Sequence, residues 1–298
     1  MRIAWVIERM DVARGGRETS SAQVAAALAR RGHDVTILCQ HGSWEDLRVR
    51  VQPLGRRGLG RMGRLRAFVR DACAAAAEGR FDVVHATLPV PCATVYQPRG
   101  GTVPGLRAAH RRRWGLLGPV RRHVLDPLNA ARRYLGRLEA ALLARPDVLC
   151  AAGSEMVARE LHEHYGRSDG VHVVFNGVDV PPADTQQRAH WRQERRYRLR
   201  LGREAPLFLI VARNWELKGV RETLSAFARW SHGRGAGREA VLAAVGKDEP
   251  QRYRQIAGML DVGRRFVGEP PPENVWQWYA AADACVLLSW YDPCSRSE

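Results

Sequence analysis

Short apolar runs separated by stretches of helical periodicity recur along the whole chain. Leu207–Val211 is the clearest run, short and branched enough for a parallel strand buried on both faces. Val220, Leu224, Phe227 and Ala228 then follow at helical spacing on one face. The same alternation starts at the amino terminus. Ile3–Ile7 predict a first strand, and Ser20 or Ser21 can cap a helix through Arg31 whose apolar face includes Val24, Ala27 and Leu28. Strands are further expected at 34–39, 49–53, 81–86, 93–96, 147–152, 171–175, 241–245 and 285–288, with a short strand and turn at 264–268. Helices are expected at 65–77, from a Ser154 cap to about Tyr165, and at 187–200; residues 55–64 read as a basic, glycine-rich loop. Pro181-Pro182 mark a linker. The reading is α/β: two doubly wound parallel sheets, 1–180 and 181–298, facing a cleft.

Composition narrows this picture. A chain of 298 residues with 45% hydrophobic and 26% charged residues is that of two globular domains of ordinary size. No apolar run approaches the roughly 20 residues that span a bilayer. The amino terminus reaches Glu8 too soon for a signal peptide and reads as a strand. The six cysteines show no CxxC spacing, and several sit in apolar runs, so reduced, buried thiols in the cytoplasm are expected. The outlier is a formal charge of +16, which calls for an anionic partner: a membrane surface, a nucleic acid or a phosphorylated substrate. Between Leu106 and Arg137 nine arginines face one acid, Asp126, interleaved with Trp114 and several leucines and valines. Pro119 and Pro127 break the segment into two or three short amphipathic pieces, a pattern suited to an anionic bilayer; a solvated basic face is the competing reading.

Candidate chemistry concentrates at strand ends. Arg213 leaves the carboxyl end of the Leu207 strand, and Lys218-Gly219 lead into the next helix. Two cations beside a helix amino terminus, in the crevice of an open α/β sheet, make an anion site, and a diphosphate is the expected guest. A solvated loop carrying two cations is the alternative. Gly15-Gly16 would let backbone approach a phosphate, or serve only a tight turn. The full GxGxxG fingerprint is absent, which argues against a nicotinamide or flavin enzyme. His85 closes a strand and is a candidate catalyst or a structural hydrogen-bonding residue. His162-Glu163-His164 lacks the spacing that puts two ligands on one helical face.

These landmarks carry a resemblance. Gly15-Gly16, Asn176-Gly177-Val178-Asp179, Arg213 with Lys218-Gly219, Val245-Gly246-Lys247-Asp248, Phe266-Val267-Gly268 and Tyr279-Ala280-Ala281-Ala282-Asp283 occur in the order seen in family 4 retaining glycosyltransferases. Within that family the chain most resembles the lipopolysaccharide-core glucosyltransferases. The resemblance implies the GT-B architecture of two Rossmann-like domains. The first, 1–180, would hold a lipid-linked or cell-envelope glycan acceptor; the second, 181–298, a nucleotide-sugar donor. It implies sugar transfer from a nucleoside diphosphate sugar, a UDP-sugar by expectation, with retention and without a metal ion or cofactor. Arg213 and Lys218 match the pair that holds the diphosphate and stabilises the leaving group. Gly15, Gly16, Gly246, Val267, Gly268 and Asp292 fall on donor-binding positions, with His85 a further catalytic candidate. It also implies a cytoplasmic enzyme peripheral to the anionic inner leaflet of the membrane.

Two positions depart from the pattern. Gln97 stands where many relatives have a histidine, and Asp292 takes the first place of a Glu-x7-Glu motif whose second acid would lie beyond Glu298. The expectation is a chain truncated in its second domain, either a piece of an active enzyme or an inactive remnant that binds nucleotide or membrane. A nucleic-acid-binding protein is the third class. It finds no aromatic RNP pattern, zinc-finger spacing or helix-turn-helix here.

Overall fold

The computed structural model describes residues 1–12, 16–113, 129–177, 180, 184–237 and 239–294. The chain divides into two compact units, Met1–Gly177 and Val178–Glu298. The first is built on strands β1 (Arg2–Val6), β3 (Asp34–Cys39), β5 (Val49–Pro53), β6 (Val83–Ala86), β7 (Val95–Tyr96), β8 (Leu149–Ala152) and β9 (Val171–Val173); β2 (Arg9–Met10) and β4 (His41–Gly42) pair separately. The seven-stranded sheet is parallel throughout, in the order β5-β3-β1-β6-β7-β8-β9. Its helices are α1 (Gly16–Arg30), α2 (Gly60–Glu78), α3 (Val103–Arg113), α4 (Ala130–Leu143) and α5 (Glu155–Tyr165).

The central strands β1 and β3 are buried residue after residue because both faces are covered, whereas the edge strands β5 and β9 keep polar, exposed positions. In β1, Ala4 and Val6 face a core with Phe68, Val69 and Ala72 of α2 and Val157 and Leu161 of α5. Ile3 and Trp5 face the opposite core with Ala22 and Ala25 of α1. The period of two along one strand thus feeds two helix layers.

The second unit repeats the plan. Its strands are β10 (Leu207–Val211), β11 (Val241–Val245), β12 (Phe266–Glu269) and β13 (Ala284–Cys285), all parallel in the order β12-β11-β10-β13. Its helices are α6 (Thr185–Arg198), α7 (Val220–His232), α8 (Pro250–Met259) and α9 (Trp276–Ala281). Ile210 packs with Leu224 and Phe227 of α7 on one face, while Leu207 and Leu209 pack with Trp278 and Ala281 of α9 on the other. Both units therefore have a switch point, where connections leave a central strand in opposite directions: between β1 and β6, and between β10 and β13. No helix among the described residues is long and apolar enough to cross a membrane.

Several local expectations are corrected. Helix α1 starts at Gly16, and Ser20 and Ser21 lie buried within it rather than capping it; the Ser20 hydroxyl instead donates to the Gly16 carbonyl at 2.7 Å. Its buried face is Ala22, Ala25 and Ala26, small enough for close approach to the sheet, whereas Val24 is 37% exposed. Helix α2 starts at Gly60, inside the stretch expected as loop. The thiol reading fails for three cysteines. Cys73 of α2 and Cys92 after β6 form a disulfide across Cα atoms 5.4 Å apart, a tertiary neighbourhood no local spacing reveals, and Cys285 on edge strand β13 is exposed. Cys39 is buried as expected, and burial pushes its thiol up to about 11. Gly15, Val178-Asp179, Pro181-Pro182 and residues 114–128 of the arginine-rich segment lie outside the described residues.

Candidate active site

In the second unit the loop after β10 is folded by its own polar groups. The Asn214 side chain accepts from the Leu217 N–H at 2.9 Å, and its carbonyl accepts from the Lys218 N–H at 2.9 Å. Trp215, fully buried, donates its backbone N–H to Asp248 at 2.7 Å and its indole N–H to the Ala212 carbonyl at 3.0 Å. These bonds turn the chain so that Arg213 is exposed beyond the strand end and Lys218 reaches the start of α7. Gly219 is the residue before that helix, at φ 72°. A Cβ there would overlap the Leu288 carbonyl, so glycine permits both the left-handed backbone and the close approach of the segment after β13. The Trp290 N–H donates to the Leu217 carbonyl at 3.0 Å and locks that approach.

The consequence is an ion pair. Lys218 Nζ contacts Asp292 Oδ2, with the side chains 19% and 15% exposed. It lies beside the carboxyl ends of β10 and β13, the switch point of this sheet, and at the amino end of a 13-residue helix. The neighbouring residues Ser289 and Trp290 carry buried Oγ and Nε1 atoms with no hydrogen-bond partner among the described residues. Gly246 and Gly268 flank the Trp215 ring. A Cβ on Gly246, at φ 150°, would overlap the Ala212 carbonyl, and one on Gly268 would sit 3.3 Å from the Trp215 ring. Val267 lies between Phe266 and Gly268 on β12, half-buried. Both glycines thus admit a buried tryptophan that shapes the Arg213–Lys218 loop. Sequence reading passed over Trp215; a tryptophan inside a polar loop was the available signal.

In the first unit, Trp5 and His85 stack with ring centroids 3.9 Å apart, joining β1 and β6 at the other switch point. His85 Nε2 lies 3.1 Å from Gln97 Oε1, and the same oxygen accepts from Arg99 Nε at 2.9 Å. Arginine only donates, so the shared oxygen must accept from both, which assigns an Nε2–H tautomer to His85. Burial holds His85 at about 4, against the pull of the Gln97 bond and aided by the nearby Arg99 charge. The imidazole is therefore neutral near pH 7. Arg99 also donates to Ser20 Oγ and lies 5.6 Å from the Trp5 ring centroid, which ties the end of β7 to the first turns of α1. Gly16 opens that helix. Gln97 and Arg99 as a relay between His85 and α1 were not legible from local pattern, because their partners come from three elements.

Lys218, Gly219 and Asp292 are thus brought together in one unit, with Arg213 on the same loop and Gly246, Val267 and Gly268 around the adjacent strand ends. His85 and Gly16 belong to the other unit. His162, Glu163 and His164 are exposed, and among the described residues no three His, Cys, Asp or Glu side chains gather as a metal site.

Residues 14–181 match the sequence profile described as Glycosyltransferase Family 4. A D-inositol 3-phosphate glycosyltransferase from Thermomonospora curvata is 32% identical over 311 residues, covering 92% of this chain and 69% of that protein. Among solved structures, WaaG, a glycosyltransferase involved in lipopolysaccharide biosynthesis, superposes with a TM-score of 0.78 at 17% identity, over 98% of this chain and 76% of its own. Anabaena Alr3699/HepE in complex with UDP-glucose gives 0.66 at 16% identity, over 99% and 76%. At these identities the structural likeness shows the fold, which is GT-B.

Proposed function

Because the chain belongs to glycosyltransferase family 4, we propose that it moves a sugar from a UDP-sugar to a lipid-linked or cell-envelope glycan acceptor, with retention of anomeric configuration. The observation that carries the donor side is the placing of Lys218 and Asp292 together at the switch point between β10 and β13. Arg213 and Lys218 hold the diphosphate, and the α7 amino terminus adds its partial positive charge. Fixed cations are most effective where charge grows in the transition state, here on the departing diphosphate. Asp292 accepts hydrogen bonds from sugar hydroxyls. No metal ion is required for these roles. The HepE complex supports a UDP-linked donor, and WaaG supports an envelope acceptor. The name of the 32% relative favours a second acceptor reading, a phosphorylated cyclitol. A charge of +16 suits enzyme action at the anionic inner leaflet.

The test measures UDP binding and sugar transfer, in chelator, for the wild type and two variants. Lys218→Ala should lose on the order of 100-fold in turnover, as removal of one preorganised stabilising group commonly does, and a melt of the same variant measures what loss of the Asp292 counter-ion costs the fold. Arg213→Lys should also fail, because an ammonium cannot reproduce the guanidinium fork on two phosphate oxygens. Uridine binding should change far less than UDP binding. Unchanged UDP affinity in both variants overturns the site. Transfer to lipid-linked glycan or to inositol phosphate separates the acceptor readings.

A further inference from the structure

The Lys218–Asp292 contact has a cost that falls differently on different ligands. The two side chains are largely withdrawn from water, and each is the other's counter-ion. A diphosphate that engages Lys218 must take the place of Asp292, exchanging one ion pair for another on the same ammonium. The displaced carboxylate then gives up its counter-ion while still largely withdrawn from water, and separating a pair in such a place is expensive. A sugar carried on the diphosphate supplies hydroxyl donors to that carboxylate. A bare nucleoside diphosphate has no sugar beyond its terminal phosphate to supply them there.

From this exchange we infer that Asp292 sets specificity for the sugar-bearing donor over the nucleoside diphosphate product, by competing with the diphosphate for Lys218. The inference rests on the donor-site reading given above and goes beyond it. Asp292 then has two partners in sequence: Lys218 in the empty site and the sugar in the loaded one. When transfer removes the sugar, the carboxylate recovers Lys218 and helps expel the product. Leu288 packs against Gly219 and Trp290 is bonded to Leu217, so the backbone bearing Asp292 is fixed against the loop bearing Lys218.

The experiment compares the affinities of UDP and UDP-glucose by calorimetry in wild type, Asp292→Asn, Lys218→Ala and the double variant. Asp292→Asn should bind UDP up to about fivefold more tightly, the scale of a partly screened ion pair. UDP-glucose should gain less, so that the ratio between the two ligands falls, and product inhibition should strengthen while turnover drops. Asp292→Glu should restore the wild-type ratio. In the double variant the gain should vanish, because the competition acts through Lys218. If UDP affinity depends on Lys218 but Asp292→Asn does not tighten it, this inference fails and the donor site stands. If UDP affinity ignores Lys218, the donor-site reading itself fails. Should Asp292→Asn fold poorly, Asp292→Ser carries the same comparison, and an unchanged UDP affinity there overturns the proposal equally.

Discussion

Burial against Trp5 and a hydrogen bond to Gln97 set the protonation of His85, so its chemistry follows from neighbours on other strands. The sequence placed a histidine at a strand end; it offered no sign that the ring is neutral, stacked and donating to an amide. The consequence is measurable. His85 has an ordinary value of 6.5 and is held at about 4 by burial, so the folded state resists a proton that the unfolded chain accepts. Its contribution to stability is complete above pH 6.5 and is lost as pH falls towards 4, a total of up to about 3 kcal/mol. Urea midpoints at pH 7 and pH 4.5 should therefore differ more in wild type than in His85→Phe, which keeps a ring beside Trp5 and removes the titration. An equal acid loss in both proteins would show that His85 is not the proton acceptor.

At the level of elements, the amino end of α3 is pinned by two carboxylates from neighbouring helices. Glu139 of α4, fully buried, accepts from the Val103 N–H at 2.8 Å, from the Tyr96 hydroxyl at 2.6 Å and from the Tyr165 hydroxyl. Glu160 of α5 accepts from the Thr102 hydroxyl at 2.7 Å. Burial raises Glu139 above the usual carboxylate range, partly offset by those donors. Glu139→Ala would orphan the buried Tyr96 hydroxyl, the part-buried Tyr165 hydroxyl and a helix N–H together, so a loss of about 2–5 kcal/mol is expected in denaturant melts. A loss below about 1 kcal/mol would mean that α3 is held by packing alone. Nothing local in the sequence announced this knot, because its members are spread from Tyr96 to Tyr165. What could be read were the strands: β3, β10 and β11 fall where the apolar runs place them, since double-sided burial writes itself into consecutive residues. Helix starts were harder. Ser20 and Ser21 resemble caps, yet Ser20 is used inside α1 to receive Arg99, a partner from the end of β7. The loop after β10 shows the same division. Local pattern singles out Arg213, Lys218 and Gly219, and family resemblance Asp292, whereas Trp215 and its bond to Asp248 depend on packing across strand ends.

Over the whole molecule, the +16 charge is less available than composition suggests, because some of it is spent on structure. Helix α6 reads as strongly basic, yet Arg196 is buried and donates to the carbonyls of Gly202, Arg203 and Ala205 and to Asp283. Arg192 pairs with the same Asp283 at 2.5 Å, and Arg195 lies 3.7 Å from Glu269 and 4.6 Å from the centroid of the Trp278 ring. These arginines hold α6 against α9 and the sheet, and reversing their charge should unfold the unit rather than alter any surface. The last turn of α3 gathers charge in one place: His110, Arg111, Arg112 and Arg113 follow one another, and Arg112 is exposed. The proposed contact with an anionic leaflet should therefore depend on α3 and the arginines that follow it, and not on α6. Flotation with phosphatidylglycerol vesicles at low salt should raise the wild-type protein, and Arg111→Glu, Arg112→Glu and Arg113→Glu together should weaken binding on the order of 100-fold, at about 1 kcal/mol for each basic residue near the surface. Moving from low salt to several times that ionic strength should have the same sense, since the Debye length shrinks with it. Binding that is equal on neutral vesicles, or indifferent to the triple reversal, would remove the electrostatic account and leave the charge of α3 as a solvated helix end.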